Sequence, residues 1–376
     1  MSLVLDEHRE YLSDRPRIDA FRRAIHATIT PGDIVLDLAC GTGILGLMAL
    51  DAGASHVYAI DQGGIIDIAR GFARARGVAD RVTHIAMHST RAVLPERAGV
   101  LVFDQIGRLG FDAELLELAA DARRRLLVPS ARIVPGPVTL DVALVSSPPM
   151  RARVEFWRSR PAGIDTASAF EIASNTGYPM LPEDAVLLSE TASPMTFSPA
   201  WWDGEAFSAP FTLTAHDASE AHGLCGFFRA ELAPGIWMTN APQAPDRINR
   251  RPAFLPFERP LRLAKGERVA VSMRVLPADA IISWEVARED GSDRMRHSTW
   301  KGLLPLRESM TRTRPDAVPV LNDHGLARRS VLELCDGTRT VREIEAVVAA
   351  RHPALFSDAL AAEVLVAEVL GVYARS

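Results

Sequence analysis

The residue types that could do chemistry in this chain lie in a glycine turn and in acids that follow apolar runs. Residues 37–43 read Asp-Leu-Ala-Cys-Gly-Thr-Gly, directly after the apolar run 34–36. Gly41 and Gly43 let the backbone turn tightly and approach a bound molecule closely, since neither has a side chain. Asp61 ends the next apolar run, about 20 residues after the turn, the usual separation for a carboxylate that accepts ribose hydroxyls. The pattern predicts a site for a nucleoside-containing cofactor.

Two cofactor classes fit a glycine turn of this kind. Gly41, Gly43 and Gly46 satisfy the Gly-x-Gly-x-x-Gly fingerprint of dinucleotide sites. However, Asp37 lies on the strand before the glycines, where a carboxylate would repel a pyrophosphate and would suit the cationic S-adenosylmethionine. The strand is also preceded by a helix-start pattern, Ser-Asp-Arg-Pro-Arg at 13–17. These features favour S-adenosylmethionine over a nicotinamide dinucleotide such as NAD.

The same residues resemble the protein arginine methyltransferases and their bacterial relatives. Residues 12–21 are similar to that family's N-terminal cofactor helix, and residues 35–45 resemble its glycine loop closely. Residues 57–61 match its second strand, with Asp61 where the family usually has Glu. The resemblance covers roughly residues 5–305. It implies a Rossmann-like class I methyltransferase domain followed by a β-barrel domain.

The resemblance also implies which residues bind the cofactor. Arg17 would bind the methionine carboxylate, Asp37 with Gly41 the amino acid portion, and Asp61 the ribose. Thr90 stands where the family directs a glutamate toward the adenine. The predicted cofactor-binding residues are Arg17, Asp37, Gly41, Gly43, Asp61, Gln62, Ser89 and Thr90.

The predicted catalytic residues are Asp104, Glu114 and His297. Asp104 follows the apolar run 101–103, and ligands bind at the carboxyl ends of strands in open α/β sheets. By the resemblance, Asp104 matches the first acid of the family's acceptor loop. The second acid aligns with Ala113, which has Asp112 and Glu114 on either side, so that only a local shift would restore a pair of acids. His297 follows a predicted strand at 281–286 and could line the acceptor mouth.

The loops that would bind the acceptor differ from the family pattern, and the difference affects which acceptor is expected. The family's Thr-His-Trp loop aligns with residues 248–250, which read Ile-Asn-Arg. A guanidinium is best held by two carboxylates, whereas Arg250 would repel a guanidinium and attract an anion. Arginine in a protein is therefore not the leading predicted acceptor.

The patterning of the chain predicts three domains and an α/β plus β fold class. Strands alternate with helical stretches in residues 1–142, which predicts a parallel, doubly wound sheet. Residues 143–311 hold short alternating segments with Pro and Gly, which predict a β-rich barrel domain. Residues 312–376 form a small third unit that begins with a linker at 312–315.

The third unit resembles the PqqD-like family, small winged-helix modules that bind the leader of a ribosomally made precursor peptide along an exposed strand. The resemblance rests on residues 318–322 and 332–344, which include Leu-Cys-Asp-Gly-Thr at 334–338. Thr340 and Glu343 form a capping-box pattern that predicts a helix start. A second helix is predicted near Ser357. The alternative is a helical cap that supports dimerisation or packs.

Composition excludes several classes of protein and partner. A net charge of −5 provides no broad basic surface for nucleic acid. No apolar run approaches the ~20 residues of a membrane span, and no signal-peptide pattern begins the chain, so a cytoplasmic location without membrane association is expected. The cysteines at 40, 225 and 335 lack the spacing of a metal site, so no metal is predicted. A homodimer is possible by analogy with the family.

The sequence therefore predicts an S-adenosylmethionine-dependent N- or O-methyltransferase that modifies a precursor peptide bound by its C-terminal domain. One alternative is a methyltransferase acting on a small molecule, an amino acid or natural product, with a structural C-terminal domain. The non-enzymatic alternative is a scaffold that keeps the cofactor fold for assembly. The intact set of predicted cofactor residues argues against the scaffold.

Overall fold

The structure is a computed structural model that describes residues 4–303, 318, 320–356 and 359–374. The chain divides into two compact units, Met1–Leu303 and Leu304–Ser376. The predicted linker at 312–315 and the predicted boundary between residues 311 and 312 lie outside the described residues. Ser357, where a helix start was predicted, also lies outside them.

The first half of the larger unit is a parallel five-stranded sheet in the order β3-β2-β1-β4-β5. Its strands are β1 Ile34–Leu38, β2 His56–Asp61, β3 Val82–Ala86, β4 Ala98–Val102 and β5 Leu127–Val134. Its helices are α1 Val4–Ser13, α2 Arg15–Thr28, α3 Ile44–Asp51, α4 Ile66–Ala75 and α5 Leu115–Arg125. The predicted parallel sheet is confirmed.

The strand order places the acids of interest at one edge of this sheet. The order reverses between β1 and β4, which are hydrogen-bonded neighbours. In open α/β sheets, ligands bind at such a switch point, beyond the carboxyl ends of the strands. Asp61 is the last residue of β2, and Asp104 lies two residues beyond the end of β4. Asp37 lies within β1, which continues to Leu38.

The second half is built from antiparallel strands. These are β6 Val138–Ser146, β7 Tyr178–Pro179, β8 Val186–Leu187, β9 Ala192–Phe197, β10 Phe207–Thr214, β11 Ser219–Ala233, β12 Ile236–Thr239, β13 Ala253–Leu263, β14 Arg268–Leu276, β15 Ile281–Arg288 and β16 Met295–Ser298. Two helices, α6 Pro148–Glu155 and α7 Phe170–Ser174, follow β6. The predicted β-rich domain is confirmed, and its strands pair in antiparallel sheets. Within residues 4–303 its strands pair as a seven-stranded and a four-stranded sheet.

One hydrophobic core runs through the parallel sheet and the antiparallel strands. The strand β6 crosses the boundary predicted between residues 142 and 143 and pairs with β11 along its length. Phe111, in the loop that carries Asp104, packs on Phe197 with ring centroids 5.3 Å apart. Burial of a Phe side chain stabilises a fold by about 1.5–3 kcal/mol. The loop that carries Asp104 is thereby held between the two sheet systems.

The described residues of the smaller unit form three helices, α8 Asp323–Leu334, α9 Val341–Arg351 and α10 Ala359–Tyr373. They bury a core of their own that includes Val331, Ile344, Val348 and Val366. The predicted capping box is present, since Thr340 and Glu343 each accept the other's backbone N–H at the start of α9. The described residues of this unit contain no strand of the kind a winged-helix module offers to a peptide.

No helix in the described part of the chain is long and apolar enough to cross a bilayer.

Candidate active site

The glycine turn between β1 and α3 requires residues without side chains. Gly41 and Gly43 adopt left-handed φ values of 52° and 71°, where a Cβ is strained. A Cβ on Gly41 would lie 2.5 Å from Cε1 of His8. The helix α1 therefore covers the turn closely, and His8 becomes part of the site.

Asp61 ties the turn to the end of β2. One carboxylate oxygen accepts the backbone N–H of Gly41 at 2.8 Å, and the other accepts that of Gly63 at 2.7 Å. A carboxylate has about four lone-pair sites, so each oxygen can still accept a further hydrogen bond. Asp61 lies at the junction of two neighbouring cavities and lines both.

The first of these, the Asp104 cavity, has a volume of about 440 Å³. It is bounded by the glycine turn, by α1 and α2, and by the loop after β4; its walls include Arg17, Gly41, Asp61, Asp104 and Arg250. The second, the Ser89 cavity, has a volume of about 220 Å³ and includes Asp61, Gln62, Ser89 and Glu114. Ala39, Asp61 and Gln105 line both cavities, so the two cavities share a wall.

Three predicted cofactor residues, Asp37, Gly43 and Thr90, do not line either cavity. Asp37 is fully buried behind the turn, where one oxygen accepts the N–H of Gly46 at 2.8 Å and the other has no partner. Burial, together with the charge of Asp61, raises the pKa of Asp37 to about 7. Thr90 bonds instead to His88 Nδ1 at 2.7 Å, and its neighbour Ser89 faces the cavity.

Arg17 and Asp104, which both line the Asp104 cavity, form a buried ion pair, each side chain being 9% exposed. Arg17 donates from both Nε and Nη2 to the same oxygen, Oδ2. The other oxygen of Asp104, Oδ1, is buried without a hydrogen bond and lies 3.9 Å from Nη1 of Arg250. Arg17 thus lines the cavity predicted to bind the cofactor and also contacts Asp104, the predicted catalytic acid.

Known proteins similar to this chain are methyltransferases. The model of ribosomal protein L11 methyltransferase (PrmA) matches residues 22–102. The chain is 31% identical over 174 residues to a probable protein arginine N-methyltransferase 6 of Arabidopsis thaliana, covering 46% of this chain and 40% of that protein. It is 29% identical over 275 residues to an arginine N(omega)-methyltransferase of Streptomyces achromogenes subsp. streptozoticus, covering 71% of this chain and 75% of that protein.

The fold is similar to that of a solved complex, the Trypanosoma brucei PRMT1 enzyme–prozyme heterotetramer with AdoHcy. The TM-score is 0.70 at 22% identity, over 77% of this chain and 97% of that one. This chain is an S-adenosylmethionine-dependent methyltransferase. It has the arginine-methyltransferase-like architecture of a Rossmann-like domain joined to antiparallel sheets. A homodimer of this methyltransferase stays a prediction.

The residues present in the methyltransferase fit S-adenosylmethionine. The backbone of Gly41 lines the Asp104 cavity, and Asp61 retains lone pairs for ribose hydroxyls. Asp37 has an unpartnered buried oxygen behind that turn, which favours a cationic neighbour. The described residues contain no group of three or more His, Cys, Asp or Glu side chains that could hold a metal ion.

The second predicted acid of the methyltransferase, Glu114, does not join Asp104 in one cavity. Glu114 adopts a left-handed φ of 62° at the start of α5 and lines the Ser89 cavity. Its neighbour Asp112 lines the Asp104 cavity, but Oδ1 of Asp112 accepts the N–H groups of Arg108 and Leu109 at 2.7 and 2.8 Å. The acceptor loop therefore brings Asp112, and not Glu114, into the cavity of Asp104, with one oxygen of Asp112 held by the loop's own backbone.

His297 lines neither cavity, contrary to its predicted place at the acceptor mouth. Its ring is 5% exposed and stacks on Trp284 with centroids 5.1 Å apart. Nε2 accepts the N–H of Glu258 at 3.4 Å. Burial lowers the pKa of His297 from 6.5 to about 4. The ring is buried because alternate residues of β16 face the interior, Met295 and His297 among them.

On acidification, the His297→Phe variant is expected to lose less folding stability than the wild type. Its rate of methyl transfer is expected to be unchanged. The folded protein keeps the ring neutral down to about pH 4, whereas the unfolded chain protonates below 6.5. The contribution of the neutral His297 ring to the free energy of unfolding is therefore complete above pH 6.5. It falls by about 3 kcal/mol by pH 4. Urea unfolding of both proteins at pH 7.5 and 5 measures the difference. A catalytic His297 would instead show as lost methyl transfer with an unchanged pH dependence of stability.

Two residues of the site, His8 and Tyr11, were missed by sequence reasoning. Tyr11 donates to Glu7 Oε1 at 3.1 Å, and its ring lies 4.0 Å from the guanidinium carbon of Arg17. Residues 7, 8 and 11 share one face of a helix, since they are three and four apart. This helical spacing was the feature of the sequence that could have indicated a shared surface facing the site.

Proposed function

We propose that this methyltransferase transfers a methyl group to a nitrogen or oxygen of a ribosomally made precursor peptide. The main support for methyl transfer at this site is Oδ1 of Asp104, which is buried without a hydrogen bond. Asp104 lies between Arg17 and Arg250 in a cavity that Asp61 also lines. The peptide is proposed to be bound through its leader by the C-terminal unit and presented at this cavity.

The chemistry requires an acceptor lone pair aligned behind the methyl group. S-adenosylmethionine, when bound, supplies an electrophilic methyl carbon on a sulfonium. The acceptor atom would form a bond to that carbon as the carbon–sulfur bond breaks, and the electron pair of the broken bond would stay on sulfur. The acceptor's proton goes to Oδ1 of Asp104, which has no other hydrogen-bond partner. Arg17 holds the carboxylate in place through Oδ2, which leaves Oδ1 without a hydrogen bond and available to the acceptor.

The cofactor residues are proposed to divide along the two cavities. Asp61, at the junction, would accept the ribose hydroxyls, and the Ser89 cavity would hold the base beside Gln62. Arg17, on the Asp104 side, would meet the methionine carboxylate with the donors that Asp104 leaves free. His8, over Gly41, would exclude water from the same end.

Peptide recognition is proposed for the C-terminal unit on two supports. The unit has its own buried core, centred on Val331, Val348 and Val366. The PRMT1 chain of Trypanosoma brucei is matched over 97% of its length by 77% of this chain, so part of this chain has no counterpart there. Together with the PqqD-like pattern at 332–344, this favours a recognition module. Such a module would raise the local concentration of acceptor by tethering, without changing the chemistry.

The test compares the full-length protein with a shortened protein that ends at Leu303, at the boundary of the two compact units. Both receive methyl-labelled S-adenosylmethionine and a size-fractionated extract of the source organism. We expect label in a peptide fraction with the full-length protein, and at least a tenfold lower rate with the shortened one. Equal cofactor affinity of both proteins serves as the control. Equal labelling of peptides by both would contradict leader recognition.

A second candidate acceptor is a free amino acid, arginine in particular. It is favoured by similarity to the arginine N(omega)-methyltransferase of Streptomyces achromogenes subsp. streptozoticus over 71% of this chain. Against a guanidinium acceptor, Asp104 already has Arg17 as its partner, and Arg250 adds a second positive charge 3.9 Å away. In the same experiment, this candidate predicts equal labelling of small molecules by the full-length and the shortened protein.

A further inference from the structure

A second opening lies beside the Asp104 cavity, at the beginning of α2. It has a volume of about 520 Å³ and is bounded by residues 13–16, 181–183 and 247–251. Asn249 donates its backbone N–H to Oδ2 of Asp14 at 2.8 Å, which joins the loop 247–251 to the start of α2. Arg250 lines both this opening and the Asp104 cavity. We call the opening the basic cleft.

The charge of the basic cleft is predominantly positive. Four arginines line it, Arg15, Arg247, Arg250 and Arg251, against the acids Asp14 and Glu183. The side chains of Arg15, Arg247 and Arg251 are exposed, and no hydrogen bond or ion pair engages them among the described residues. Asp14 is 8% exposed, and one of its carboxylate oxygens already accepts the backbone N–H of Asn249. The N-terminal end of α2 adds a partial positive charge.

Arg250 connects the basic cleft to the place of methyl transfer. Its Nη1 donates to the carbonyl oxygen of Gly107 at 2.9 Å and lies 3.9 Å from Oδ1 of Asp104. A molecule with one group in the cleft and another beside Asp104 would therefore pass over the guanidinium of Arg250. The cleft is therefore positioned to hold part of the acceptor, at a site separate from the cavity lined by Asp61.

We propose that the basic cleft binds an anionic group of the acceptor, a carboxylate or phosphate, and so selects acidic over cationic acceptors. The proposal rests on the proposed methyl transfer at Asp104. Guanidinium groups bind carboxylate and phosphate through two parallel N–H···O bonds, and the cleft offers three guanidiniums without a competing partner. A cationic acceptor, such as an arginine-rich peptide, would be repelled by the same groups.

The test measures binding of simple anions independently of methyl transfer. Succinate, inorganic phosphate and uncharged succinamide are titrated into full-length protein saturated with S-adenosylhomocysteine, with binding followed by NMR. We expect millimolar binding of at least one anion, none of succinamide, and about tenfold weaker binding after Arg247→Gln with Arg251→Gln. Preference for succinate would identify a carboxylate site, and preference for phosphate a phosphate site.

The control is Arg274→Gln, which removes an exposed arginine of β14 that does not line the cleft. Binding that is absent from the wild type, or equally weakened by Arg274→Gln, would overturn the proposal. Labelled methyl transfer is measured on the same proteins with the fractionated extract, where loss of the cleft arginines is expected to raise KM and spare kcat. Anion binding without any methyl transfer would contradict the proposed function and leave the cleft as an anion site.

Discussion

Replacement of Asp61 with Ala is expected to weaken the binding of S-adenosylhomocysteine by about 100-fold. The carboxylate is proposed to accept two ribose hydroxyls, and hydrogen bonds to a charged group contribute about 1.5–3 kcal/mol each. The same carboxylate fixes the N–H groups of Gly41 and Gly63, so its loss also loosens the turn. Titration calorimetry with S-adenosylhomocysteine measures the change.

The matched control is Asp67→Ala. Asp67 is an exposed acid of α4 that pairs with Arg70, so this change removes the same charge close by but outside both cavities. It is expected to leave the affinity unchanged. A loss of less than threefold for Asp61→Ala, or an equal loss for both, would show that Asp61 does not bind the cofactor.

Replacement of Asp104 with Asn is expected to reduce methyl transfer by about 10²–10⁴-fold, the range for loss of a general base. The amide keeps the size of the side chain but cannot take the acceptor's proton. The change also leaves Arg17 without its counterion in a buried position, where breaking an ion pair costs about 3–5 kcal/mol. Initial rates with labelled S-adenosylmethionine and thermal unfolding measure the two effects separately.

The control for Asp104→Asn is Asp141→Asn. Asp141 is a 1% exposed acid of β6 that pairs with Arg229 and lies outside both cavities. Its loss is expected to lower the unfolding temperature while sparing the rate per folded molecule. A full rate of methyl transfer for Asp104→Asn, with cofactor affinity retained, would exclude Asp104 as the proton acceptor.

Local features of the site were predictable from sequence because each has a local cause. Only glycine tolerates the backbone angles at 41 and 43, and an acid directly after a buried strand must lie at the carboxyl edge of the sheet. The capping box of Thr340 and Glu343 depends on residues three apart. Such features need no knowledge of how distant segments pack.

The remaining features depend on contacts between distant segments. Arg17 and Asp104 are 87 positions apart, and their pairing arises because α2 and the loop after β4 meet at the switch point of the sheet. Whether His297 faces the interior or the cavity depends on its packing against Trp284. The basic cleft brings the start of α2 together with the loop 247–251, which strand and helix periodicity cannot predict.

The most direct test of the central claim is transfer of label from methyl-labelled S-adenosylmethionine by the full-length wild-type protein. With the fractionated extract of the source organism, we predict acid-stable label in an acceptor fraction. That label should be lost with Asp104→Asn although this variant still binds S-adenosylhomocysteine. Label that enters no fraction with the wild type, or that enters equally with Asp104→Asn, would contradict methyl transfer at the Asp104 cavity.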